Sequence, residues 1–332
     1  MAKREIRCFE ILRRHNLGSA IFSSPADFEL SYEKSLEPTS LPKNTIPYCL
    51  NLHTERMLYT VVDDVRATFS APFLYMAQRE LALKIVTVPF EQISDIETHS
   101  DSHPTLVFSV GRCGSTLLSA LVRKVDLQSA SEPDLLTQMT AISPSERRLI
   151  TREIYSDLIR GCISSLARLC GDNVVIKLRS HCIAIADDII SASKNSTVLF
   201  MFRDRRSWAK SRHVFFGESP ELVSNILIQG IRCFDNLQRQ GRNPKLVWYE
   251  DLVKDPPSVL RTLLSRRNLS DPIILDRLRP TLETDAQGGT GLARRGNRGD
   301  IDCSDFINAF DEAWKKQAPV QLINTHGLWR LA

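Results

Sequence analysis

Four short β-rich runs, each followed by a helix-length segment, constrain this chain more than any other feature. TLVFSV (105–110), NVVIKL (173–178), STVLFMF (196–202) and KLVWY (245–249) are apolar almost throughout rather than alternating. Helical patterns follow them at 115–125, 182–193, 206–214 and 256–267. An unbroken apolar strand is one buried on both faces, and its alternation with helices makes the strands parallel and joined by crossovers. The expected fold class is therefore α/β, a three-layer sandwich around a central parallel sheet. In such sheets ligands bind at the carboxyl ends of the strands. That rule nominates four places: 111–116, 177–181, 203–211 and 249–251.

Upstream the pattern differs. Residues 4–15 read as an amphipathic helix (Ile6, Phe9, Ile11, Leu12), followed by a Pro/Ser-rich passage at 24–47. A strand at 56–62, a helix at 72–83 and a strand at 84–89 come next, forming a small α+β segment. The polar stretch THSDSHP (98–104) marks a boundary. The expected organisation is an accessory region at 1–100, for which no motif supplies a chemistry, and a catalytic domain at 101–332. A long helical pattern at 145–170 ends at Gly171.

Composition excludes several classes. A net charge of +4 over 332 residues suits an anionic ligand without indicating a nucleic-acid binder. Eight scattered cysteines form no C-x-x-C pair and no zinc spacing, which points to free thiols in a reducing compartment and to no metal. The first residues, MAKREIRCFEILRRHNLG, contain no apolar stretch of signal-peptide length, and no run reaches membrane-spanning length. The expected location is cytoplasmic, with no nucleic-acid partner and no membrane span; a homodimer is left open.

The first strand end reads VGRCGSTLLSALV (110–122). It has the strand–loop–helix form of a phosphate loop, yet only two residues separate Gly111 from Gly114 and no Walker lysine follows. Backbone N–H groups of Cys113, Gly114, Ser115 and Thr116 at a helix N-terminus favour an anion, and Arg112 offers a fork for phosphate-type oxygens. The same residues also fit an ordinary glycine-containing βα turn. Lys177, at the second strand end, either snorkels or faces the ligand crevice. Arg203 leaves the third strand and Ser211 lies eight positions on, within the next helix.

Together the loop GRCGST, the pair in RDRRSWAKS and the segment WYEDLVKDP resemble the PAPS-dependent sulfotransferases, which transfer a sulfuryl group from 3′-phosphoadenosine 5′-phosphosulfate (PAPS) to an acceptor and release PAP. The resemblance covers roughly 105–255 and implies a P-loop NTPase-like sandwich. It implies that Arg112–Thr116 bind the 5′-phosphosulfate, that Arg203 and Ser211 bind the 3′-phosphate, and that Tyr249 lies near the adenine. The spacings resemble the tyrosylprotein and bacterial branch. That branch places its glutamate base about 21 residues beyond the loop's basic residue, and Glu132 stands 20 positions after Arg112. Its catalytic lysine precedes the 3′-phosphate arginine by 26, as Lys177 precedes Arg203. QGGTGLARRG (287–296) resembles the family's loop over the nucleotide, with Gly288 and Gly291 matching, Gln287 in place of lysine, and Arg294 and Arg295 nearby. Leu117 replaces the tryptophan that stacks on adenine in cytosolic members.

The catalytic set so implied is Glu132, Lys177 and Arg112, acting without a metal. His181 is a rival base, four positions after Lys177 rather than two. The acceptor, a small molecule, carbohydrate or lipid, has no readable code. Two other functions fit the fold: a small-molecule kinase using ATP, and a catalytically silent nucleotide-binding protein.

Overall fold

The computed structural model describes residues 5–15, 22–37, 41–96, 102–143, 146, 150–171, 173–263, 272–284, 286 and 302–331. They form two five-stranded sheets. The first holds β1 (Ile6–Arg14), β2 (Phe28–Leu36), β3 (Thr45–Asn51), β4 (Arg56–Val62) and β5 (Ala82–Pro89), antiparallel in the order β2-β1-β5-β4-β3. Helices Val65–Ser70 and Leu74–Leu81 lie between β4 and β5.

The helix expected at 4–15 is instead strand β1. Ile6 and Cys8 are buried, whereas Phe9 meets Tyr32 edge-on at 5.9 Å. Register shifts between Cys8 and Phe9, and between Ile11 and Arg13, interrupt the two-residue alternation. The apolar spacing that results imitates a helical period. The passage 24–47 likewise holds more order than its composition suggests: a short 3-10 turn (Pro25–Asp27), all of β2 and the start of β3. Strand β2 (FELSYEKSL) lies at the sheet edge, where charged residues are tolerated on a strand and no apolar face betrays it.

The second sheet is the expected parallel one flanked by helices. Its strands are β6 (Thr105–Ser109), β7 (Ser129–Ser131), β8 (Val175–Lys177), β9 (Thr197–Phe202) and β10 (Lys245–Trp248), in the order β10-β9-β6-β8-β7. Four of these are the four apolar runs. The fifth, β7, is only SAS, three small residues buried by their surroundings. The helix Ser115–Lys124 follows β6, Asp134–Ala141 follows β7, and Arg205–Phe216 and Pro220–Arg239 follow β9. The pattern at 145–170 becomes the helix Arg152–Cys170, with Thr151 Oγ1 accepting from Ile154 N at 3.2 Å at its start. Part of the pattern (145 and 147–149), and the end of that at 256–267, lie outside the described residues.

The chain divides into two compact units, Met1–Leu106 with Leu127–Thr197, and Val107–Asp126 with Val198–Ala332. In the first, the helix Arg152–Cys170 buries Leu158, Ile159, Cys162 and Leu166 and packs on β3 and on the helix Ala186–Ala192. In the second, Phe108, Phe200, Phe202 and Phe234 form a continuous aromatic core, with successive ring centroids 5.0–6.3 Å apart. The helix Pro220–Arg239 brings its backbone close at Gly230, where a Cβ would overlap Val110. No helix among the described residues is long and apolar enough to cross a membrane.

Candidate active site

In the second unit, the loop after β6 turns tightly through Gly111 (φ 75°), Arg112 (φ 55°) and Gly114 (φ 78°). A non-glycine residue in this left-handed region costs about 1–2 kcal/mol, a strain found most often at functional positions. The helix Arg205–Phe216 holds the loop in place. Buried Trp208 donates Nε1–H to Gly111 O at 2.7 Å, and buried Arg212 donates Nη1–H to Val110 O at 3.0 Å. Glu218 pairs with Arg212 through Nε at 2.6 Å, so that this cation serves the loop's shape.

The loop ends at Gly114, the N-cap of the helix Ser115–Lys124, which supplies no side-chain acceptor to the helix's first N–H groups. N–H groups at a helix start and the positive end of the helix dipole favour an anion there. Ser115 and Thr116 are buried in that first turn. Cys113 is also buried, its thiol donating to Gly111 O at 3.2 Å. Burial pushes that thiol up to about 12, against the opposing pull of Arg203 and Arg212, so it stays neutral.

Arg112 and Ser211, 99 positions apart, meet: the arginine Nε donates to Ser211 Oγ at 3.2 Å. The Arg112 guanidinium also lies 3.6 Å over the Phe215 ring. Arg203 sits 4.6 Å over the Tyr249 ring, and that ring packs against Gly114. Arg203 Nε is buried with no hydrogen-bond partner among the described residues. A buried donor left unpaired costs about 1–3 kcal/mol. An anionic oxygen would satisfy it with a charge-assisted bond. The loop, the Arg112–Ser211 pair and the Arg203–Tyr249 stack therefore fit a phosphate-bearing ligand.

In the first unit, Glu132 directly follows β7 in the left-handed region (φ 58°), and its N–H donates to Lys177 O at 2.7 Å. Lys177, at the end of β8, is 3% exposed and pairs with Glu132 Oε1. Its ammonium lies 5.1 Å from the Phe73 ring. Arg179 donates Nε–H to Glu132 Oε2 at 3.1 Å and reaches Asp134 Oδ1 at 3.3 Å through Nη1. Burial alone would raise the Glu132 carboxyl; Lys177 and Arg179 outweigh it and hold the group below the usual glutamate range. Asp134 is shifted the other way, because burial exceeds the pull of Arg179 and of Ser23 N–H. His181 is exposed and meets Phe22 edge-on at 5.6 Å.

Of the residues the sequence nominates, the structure brings together Arg112 with Ser211, Arg203 with Tyr249 and Gly114, and Glu132 with Lys177. Gly288, Gly291 and Arg294 lie outside the described residues. Sequence reasoning missed Arg179, Trp208 and Arg212. Arg179 stands two positions beyond Lys177 at one strand end, and Trp208 and Arg212 are four apart on one helix face, so a signal existed for each. Phe22, Phe73 and Tyr75 had none.

No protein-family model matches the chain, and no curated protein does. Among solved structures it is similar to sulfotransferase STF9 from Mycobacterium avium, at 12% identity over 69% of this chain and 79% of that one, with a TM-score of 0.41. It is also similar to sulfotransferase STF1 from Mycobacterium tuberculosis H37Rv, at 12% identity over 68% and 79%, with a TM-score of 0.40.

Proposed function

We propose that this chain is a PAPS-dependent sulfotransferase acting on a hydroxyl or amine of a small-molecule, carbohydrate or lipid acceptor. The observation that carries the reading is Arg203: a cation whose buried Nε has no hydrogen-bond partner among the described residues, stacked on the tyrosine that packs against the phosphate-type loop. Arg203 and Ser211 would hold the 3′-phosphate of the donor. The backbone of Cys113–Thr116 and Arg112 would hold its phosphosulfate, with Gly288, Gly291 and Arg294 closing over the nucleotide.

The chemistry asks for a base and for cations. Glu132 takes the proton from the acceptor as the acceptor oxygen or nitrogen bonds to sulfur. The sulfur–oxygen bond to the 5′-phosphate breaks, and its electron pair stays on the phosphate of PAP. Lys177 and Arg112 stabilise the negative charge that gathers on the leaving oxygens, the role of fixed cations in phosphoryl transfer. Glu132 is ionised at neutral pH, as a base must be, because Lys177 and Arg179 keep its proton affinity low. In this reading residues 101–332 form the transferase domain of a cytoplasmic enzyme, and no step calls on a metal.

Radiolabelled PAPS incubated with a panel of phenols, alcohols, amines and sugars tests the proposal. Wild-type protein is expected to label at least one acceptor, and Glu132→Gln to lower the rate by about 10²–10⁴-fold, the usual contribution of a general base. Unchanged transfer by Glu132→Gln removes that residue as the base. Labelling from ATP in place of PAPS makes the chain a kinase.

A further inference from the structure

Two cations meet the Glu132 carboxylate, and they are not equivalent. Lys177 brings a point charge on a flexible stem to Oε1. Arg179 brings a planar fork, with Nε on Glu132 Oε2 at 3.1 Å and Nη1 on Asp134 Oδ1 at 3.3 Å. The guanidinium carbon lies 4.2 Å from the Tyr75 ring centre and 5.4 Å from that of Phe22, so aromatic faces restrict its plane.

The far arm of the fork is itself anchored. Asp134 Oδ2 accepts from Ser23 N–H, and Ser23 O accepts from Gln138 Nε2. Gln138 Oε1 in turn accepts from Leu50 N–H at 2.8 Å, the backbone of β3. Ser131, the residue before Glu132, donates its hydroxyl to Pro72 O at 2.6 Å. Hydrogen bonds from the antiparallel sheet to Asp134, the Arg179–Asp134 ion pair and the Arg179–Glu132 hydrogen bond thus form one connected series, all of it within the first unit.

We propose that Arg179 is the positioning residue for Glu132, fixing Oε2 so that Oε1 is the oxygen presented to the acceptor, and that residues 22–75 build the clamp that holds it. The region at 1–100 is then part of the catalytic unit rather than an appendage to it. The proposal rests on the transferase reading for its consequence. When Lys177 turns to the charge on the leaving group, Arg179 keeps the carboxylate in place and ionised. No bond to Arg179 forms or breaks in the reaction.

Among the described residues, the groups that face Glu132 are Lys177, Arg179, Asp134, the Tyr75 hydroxyl and the Cys182 thiol. Burial raises the Tyr75 hydroxyl and pushes the Cys182 thiol up to about 12, so neither titrates in acid. Asp134 and Glu132 remain, and Asp134→Asn separates them.

The first experiment needs no acceptor. Protein labelled at its glutamate carboxyl carbons is titrated by NMR, with the Glu132 resonance assigned from Glu132→Gln. In Arg179→Gln the Glu132 titration is expected to move to higher pH, since one of its two cations is gone; in Arg179→Lys it is expected to stay low. An unmoved titration in a folded Arg179→Gln overturns the proposal. The second experiment measures transfer from labelled PAPS. Arg179→Gln is expected to lower kcat by about 100-fold, the effect of a misplaced reacting group, with the KM for PAPS unchanged and the acid limb moved up. Arg179→Lys is expected to restore the limb but not kcat, because an ammonium cannot bridge two carboxylates as a fork does. Wild-type kcat in Arg179→Gln overturns the proposal. If the titration moves but wild-type protein sulfates nothing, the clamp stands and the transferase reading fails.

Discussion

Replacing Gly114 by alanine asks two separate things of the loop, and the structure assigns a size to each. The residue sits at φ 78°, where an L-residue costs about 1–2 kcal/mol. Its new Cβ would also lie 2.9 Å from Tyr249 Cε2 and closer still to Cδ2, an overpacking of the kind that costs about 1–3 kcal/mol. Together Gly114→Ala is expected to destabilise the protein by about 2–5 kcal/mol. In a Tyr249→Ala background the ring is gone and only the backbone part remains, so the coupling between the two substitutions is expected at about 1–3 kcal/mol. Urea unfolding of the four proteins at one pH measures it. If Gly114→Ala costs the same in both backgrounds within about 0.5 kcal/mol, the two sites are independent, and the close packing of Tyr249 on the loop is refuted.

Three further outcomes follow from the same geometry. Glu132→Gln removes the carboxylate that pairs with buried Lys177 and is expected to cost about 3–5 kcal/mol at neutral pH. Because the folded carboxyl titrates below its unfolded value, that contribution is present above the unfolded value of about 4.3 and lost as pH falls through the folded one. The gap between wild type and variant in urea midpoints is therefore expected to narrow in acid; a gap independent of pH would show that the carboxylate is not held by its cations. At position 230 the helix would gain about 1 kcal/mol from alanine, but the Cβ overlaps Val110, so Gly230→Ala is expected to lower the melting temperature rather than raise it. Burial holds the Cys113 thiol at about 12, and a thiol reagent at mildly basic pH is expected to label it only after unfolding, as peptide mapping would reveal.

Much of the parallel sheet could be read from residue order because its strands are continuous apolar runs that both faces bury. Strand β7 could not: SAS carries no β signal, and only its neighbours make it a strand. Strand β1 reads as a helix because two register shifts bend a period of two into something close to a helical spacing. The candidate site divides along the same physical line. Arg112, Lys177 and Arg203 announce themselves by standing at the ends of apolar strands, where a charge needs a reason. Phe73 and Tyr75 reach the Glu132 cluster from an element more than 50 positions upstream and look like ordinary core aromatics. Arg179 sat beside a residue already singled out, but nothing in a linear sequence says which of two neighbouring cations will fork between two carboxylates.

Calorimetric titration with PAP and, separately, with ATP and magnesium tests the central claim most directly. Wild-type protein is expected to bind PAP in preference to magnesium-ATP. Arg203→Ala is expected to weaken PAP by about 10–100-fold, the loss of a charge-assisted hydrogen bond of about 1.5–3 kcal/mol, while leaving ATP unaffected. Tighter binding of magnesium-ATP than of PAP, or an Arg203→Ala variant that binds PAP as wild type does, would contradict the assignment of this site to a 3′-phosphorylated sulfuryl donor.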